Sequence, residues 1–67
     1  MKANELKAGH RYYDGMCNVY YTGKTEKHGY YDGREGWKVE ECYVFHGQFG
    51  GPETYFTEAE LERLVER

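Results

Sequence analysis

The sequence predicts a mainly β fold, α+β in detail: a strongly bent antiparallel sheet or small barrel of four to five strands with a C-terminal helix at about 58–66. Three observations carry this expectation. Twelve aromatic residues, eight of them Tyr, stand against three Leu, four Val and no Ile, and aromatic side chains suit the pleated, half-buried surface of a sheet. Nine Gly residues punctuate short alternating runs, as turns between short strands require. One amphipathic run, near the C-terminus, has helical spacing.

Each element follows in order. Arg11-Tyr12-Tyr13 leads through Asp14-Gly15, a dipeptide suited to a tight hairpin, into the run 16–22. There Cys17, Val19 and Tyr21 alternate onto one face, with Met16, Asn18, Tyr20 and Thr22 on the other. Residues 23–29 read as a polar loop, and Tyr30-Tyr31 as a short strand ended by Asp32-Gly33. Residues 37–45 form the longest strand candidate. Trp37 and Val39 share a parity with Tyr43 and Phe45, but Glu41 interrupts that face, so a β-bulge near Glu40-Glu41 is expected. Gly47, Gly50, Gly51 and Pro52 make a turn before a last strand at 53–56. Thr57-Glu58-Ala59-Glu60 then matches a capping box, with Phe56 and Leu61 at staple spacing. Leu61, Leu64 and Val65 supply a narrow apolar stripe, and Arg67 complements the negative end of the helix dipole. Tyr-Tyr-Asp-Gly occurs twice, at 12–15 and 30–33, which is too little for a repeat architecture.

A chain of this length forms one domain, 1–67. It buries only about 60% of its unfolded surface, leaving little room for a deep enclosed site. No apolar run approaches a membrane span, and residues 1–7 lack the apolar stretch of a signal peptide. The expected location is therefore cytoplasmic. Residues 1–39 carry a net +2 and residues 40–67 a net −5. A dedicated nucleic-acid binder shows a basic stripe, and here only the N-terminal part can provide one. Cys17 and Cys42 have neither a C-x-x-C nor a zinc spacing. They read as small, reduced, buried apolar residues, ahead of a disulfide or of metal binding with His10, His28 or His46.

Two segments carry a resemblance. Leu6-Lys7-Ala8-Gly9-His10-Arg11-Tyr12 resembles the opening of small SH3-like barrels, where a leucine packs inward and a glycine turns the chain into the first strand. Tyr55-Phe56-Thr57-Glu58-Ala59-Glu60-Leu61-Glu62 is similar to the strand-to-helix ending of short phage and prophage proteins of unassigned function. The resemblance implies an SH3-like barrel and an accessory or inhibitory role. It brings no site residues with it.

Catalysis finds little support. The chain has no Ser, and nothing local activates either Cys as a nucleophile. Glu40-Glu41 or Asp14 with Asp32 could in principle do acid–base work, but Glu40 and Glu41 point to opposite faces of a strand and share a site only if the bulge aligns them. Gly50-Gly51-Pro52 lacks the Lys-Ser/Thr and the helix of a phosphate loop. No cofactor and no metal are expected, and the chain is read as a non-enzymatic binding module.

The aromatics point the same way. Each Tyr-Tyr pair sends one ring to each face, so several rings must be exposed. Tyr13, Tyr20, Tyr31 and Trp37, with Arg34 as charged anchor, are the candidate partner-binding residues, because Trp, Tyr and Arg dominate interface energies. Another protein is the expected partner. A free sheet edge also allows a homodimer. The alternative is single-stranded nucleic acid or a nucleotide, bound by Lys24, Lys27, Tyr30, Tyr31, Trp37 and Lys38, where basic groups alternate with aromatics.

Overall fold

A computed structural model describes residues 1–66. After a 3-10 turn at Ala3–Glu5, five antiparallel strands follow: β1 (Arg11–Tyr13), β2 (Asn18–Asp32), β3 (Gly36–Gly47), β4 (Thr54–Thr57) and β5 (Val65–Glu66). They form one sheet in the order β4-β3-β2-β1-β5. The sheet is open, with β4 and β5 as its edges.

The β1–β2 turn contains Asp14-Gly15 as expected but spans 14–17, so Met16 and Cys17, read as strand, belong to the turn. Asp14 Oδ1 accepts from the Met16 and Cys17 amides at 2.8 and 2.9 Å, and Gly15 supplies the positive φ of 102°. The core lies on one face of the sheet: Tyr12, Val19, Tyr21, Phe45 and Phe56 bury together with Leu61 and Leu64. Phe45 is its centre, meeting Tyr12 and Phe56 edge-on at 6.1 and 5.0 Å and Tyr21 at 5.1 Å. Leu6 and Tyr43 pack against this cluster. Burying Tyr12 requires a partner for its hydroxyl, which accepts from the Lys7 amide at 2.8 Å.

Four expectations are corrected. The polar segment 23–29 is no loop: β2 continues through it past a bulge, paired with β3 from Thr25↔Tyr43 to Asp32↔Gly36. Its polar side chains reach solvent from both faces of a two-stranded ribbon, so polarity there does not oppose pairing. The bulge lies on β2 rather than near Glu40-Glu41. Register shifts between Tyr21 and Thr25, with Gly23 at φ +87° and Thr22 Oγ1 donating to the Val44 carbonyl at 2.8 Å. Cys17 is exposed in the β1–β2 turn, whereas Cys42 is buried; both are free thiols.

The fourth correction concerns the C-terminal helix at 58–66. A single 3-10 turn, Glu60–Arg63, stands there instead, followed by β5. The capping box does form, with the Thr57 amide donating to Glu60 Oε1 at 3.1 Å and the Glu60 amide to Thr57 Oγ1 at 3.4 Å. So short a helix has little stability of its own. The free edge of β1 offers the competing hydrogen bonds, and Val65 and Glu66 pair with Tyr13 and Tyr12. A 3-10 turn aligns positions i and i+3, so Leu61 and Leu64 both stay buried while Val65 turns outward. Arg67 lies outside the described residues. No helix among the described residues is long and apolar enough to cross a membrane.

Candidate functional site: an exposed aromatic arm

β1 pairs only with Asn18–Tyr20 of β2, and β4 only with Cys42–Phe45 of β3. Beyond those limits β2 and β3 continue alone as an arm, closed by the turn 33–35. Asp32 Oδ1 accepts from the Arg34 amide at 2.8 Å, and Gly36 takes a φ of 86° where β3 begins. The tip is therefore set by the same carboxylate-turn chemistry as the first hairpin.

Alternation carries the core face outward along this arm. On β3 the face of Phe45 and Tyr43 continues through Glu41 and Val39 to Trp37; opposite them on β2 stand Lys27, Gly29 and Tyr31. Glu41 marks where the face leaves the core. Past it the apolar residues meet water: Trp37 is 76% exposed, Val39 66% and Tyr31 65%. The Tyr31 and Trp37 rings meet edge-on at 5.6 Å, and Gly29 leaves a gap beside Val39. Arg34 stands in the tip turn beside this strip and has no ion pair among the described residues.

The opposite face of the arm is polar. There Tyr30 donates to Glu40 Oε1 at 3.3 Å, while Lys38 bridges Asp32 and Glu35. The hydrogen bond that Lys38 donates to Glu35 raises the Lys38 pKa, and the Tyr30 phenol is raised by desolvation and by the Glu40 charge. Nearer the base, the His28 and Tyr55 rings meet at 4.6 Å across β3. They lie on the face that Cys42 and Val44 share, which accounts for the burial of those two residues away from the main core.

The candidate residues thus fall into separate places. Tyr31 and Trp37 are neighbours on one face of the arm, with Arg34 at its tip. Tyr13 and Tyr20 lie on the outer face of the base: Tyr20 stacks on His46 at 5.4 Å, and Tyr13 donates to the Gly15 carbonyl at 3.0 Å. Of the alternative set, Lys27 shares the face of Tyr31 and Trp37, Tyr30 and Lys38 take the other, and Lys24 sits at the bulge. Val39 belongs to the exposed strip as well, although it was not among the candidate residues. Its shared parity with Trp37 was the available signal, but parity alone does not show where a strand outruns its neighbours.

Neither thiol has a group beside it that favours the thiolate. Desolvation and nearby carboxylates hold both above the ordinary cysteine value: Asp14 for Cys17; Glu40, Glu60 and Glu26 for Cys42. No group of His, Cys, Asp and Glu suited to a metal ion occurs among the described residues. Comparison with family models, with curated proteins and with solved structures gives no match for this chain.

Proposed function

We propose that this chain is a non-enzymatic protein-binding module, an accessory or inhibitory small protein, whose docking surface is the apolar strip of the arm. The carrying observation is the contact between Tyr31 and Trp37, both well exposed and continued by Val39 on one face. Rigid aromatic rings on a paired backbone give contact area at low entropic cost, and a nearby arginine adds a directional charge. In architecture we read the bent sheet as a partly open, SH3-like barrel. The inward-packed Leu6, the positive φ of 80° at Gly9 and the short turn that carries Leu61 and Leu64 under the sheet support that reading.

Single-stranded nucleic acid is the weaker alternative. Tyr30 and Lys38 face away from Tyr31 and Trp37, and Lys38 already bridges Asp32 and Glu35. The discriminating experiment compares wild type with Trp37→Ala and Tyr31→Ala, each checked for folding by circular dichroism. A partner that survives nuclease treatment and is lost from both variants is expected. Equal retention by wild type and variants would overturn the reading. Saturable binding of a labelled oligonucleotide that weakens steeply with salt would favour nucleic acid instead.

A further inference from the structure

We propose that two copies of this chain associate about a two-fold axis through the free edges of β3, pairing antiparallel over residues 37–41 with Val39 opposite Val39. The proposal rests on reading the arm as an interaction element, and it concerns the strand edge, leaving the apolar face open.

Four observations carry it. The outer edge of β3 is unpaired over residues 36–41, because β4 stops at Cys42↔Thr57. An open edge of this kind is a template for another strand. The edge of β2 differs, since it is broken by the bulge at Thr22–Lys24; β3 has neither bulge nor proline over 36–41.

The second observation is the charge pattern. Antiparallel self-pairing must keep parity, so the register can move only in steps of two. Centring on Val39 sets Lys38 opposite Glu40 twice, once on each side of the axis. Moving the centre one residue either way puts Lys38 opposite Lys38 or Glu40 opposite Glu40, and like charges directly opposite destabilise a ladder. Of these three registers, only the one centred on Val39 sets opposite charges across the ladder.

Third, the ends match. Thr57 closes the free edge of one copy at Cys42, and Gly36 begins β3 in the other, so the second strand turns away where the first runs out. Its tip then brings Arg34, which stands between Asp32 and Glu35 in sequence, toward the shallow cleft lined by Glu40, Glu41, Thr57, Glu58 and Ala59. The approach of Arg34 to the three glutamates of that cleft occurs twice under the two-fold.

Fourth, a two-stranded ribbon exposed on both faces is only marginally stable in water. Edge pairing makes the two arms one four-stranded ribbon. It also joins the strips of Tyr31, Trp37 and Val39 from both copies on one side, doubling the surface proposed above.

The test is sedimentation velocity on the full chain, from micromolar to millimolar, for wild type, Lys38→Glu, Glu40→Lys and an equimolar mixture of the two variants. Wild type is expected to dimerise with concentration and less so in salt. Each variant alone sets like charges opposite and should weaken association by roughly tenfold or more. The mixture sets two lysines of one chain opposite two glutamates of the other and should restore the dimer, which a folding defect would not do. A wild type that stays monomeric, variants that dimerise like wild type, or a mixture that stays monomeric would each overturn the proposal. A monomeric wild type leaves Trp37-dependent partner binding standing. Loss of the Trp37 effect with the dimer intact removes the partner reading alone.

Discussion

Phe45 and Trp37 lie on the same strand and the same face, yet one ring is fully buried and the other three-quarters exposed. Around Phe45 the sheet has neighbours: β1, β2 and β4 bring Tyr12, Tyr21 and Phe56 against it, and the turn at Glu60–Arg63 adds Leu61 and Leu64 beneath. Around Trp37 only β2 remains, and Tyr31 is its ring partner. Aromatic identity and strand parity are equal in the two places. The difference is how many strands flank the position, and it separates a core from an exposed aromatic strip.

That contrast makes ordered expectations. Phe45→Ala should cost about 3–5 kcal/mol by deleting the central ring of a small core, and urea melts followed by circular dichroism should show a mostly unfolded variant. Gly23→Ala comes next, at about 1–3 kcal/mol. A side chain at φ +87° is strained, and its Cβ would stand 3.1 Å from that of Ala8. An unchanged melt would mean that the bend does not need this conformation. Tyr12→Phe should cost about 1 kcal/mol, because the partly buried Lys7 amide loses its acceptor while the ring stays in place. The same melts read it.

A smaller effect is expected from pH. The Cys17 and Met16 amides hold the Asp14 carboxyl below its ordinary value of about 3.9. The carboxylate is thus favoured in the fold. Its contribution is complete above the unfolded pKa and is lost as pH falls through the lower folded one. Asp14→Ala should be less stable than wild type at neutral pH, and the gap should close as pH drops below about 4; a gap independent of pH would assign the effect to packing. Smallest of all, Trp37→Ala should shift stability by no more than about 0.5 kcal/mol, although it is the change expected to remove partner binding. A large loss of stability there would mean that the arm is part of the folding unit.

How much of this was legible in the sequence can be argued residue by residue. The Asp-Gly turns at 14–15 and 32–33, the Gly-rich turn at 47–52 and the burial of Val19 and Tyr21 follow from local chemistry and alternation. So does the Thr57–Glu60 capping pair. The exposure of Trp37 and Tyr31 was expected from aromatic excess in a small domain, but Tyr13 and Tyr20 satisfied the same argument and lie elsewhere. A sequence states which residues share a parity, not which strands flank them.

The sequence by itself therefore determined the class of fold, the turns and the alternation of faces, because each depends on backbone preferences within a few residues. Only the tertiary structure decided that residues 23–29 pair as strand and that the chain bends at Gly23. It also decided that Val65 and Glu66 become a strand rather than the end of a helix. In each case the deciding hydrogen bonds come from a distant segment: β3 for the first two, the open edge of β1 for the third. Local propensity is worth a fraction of a kcal/mol per residue, and a ladder with an unsatisfied edge outweighs it.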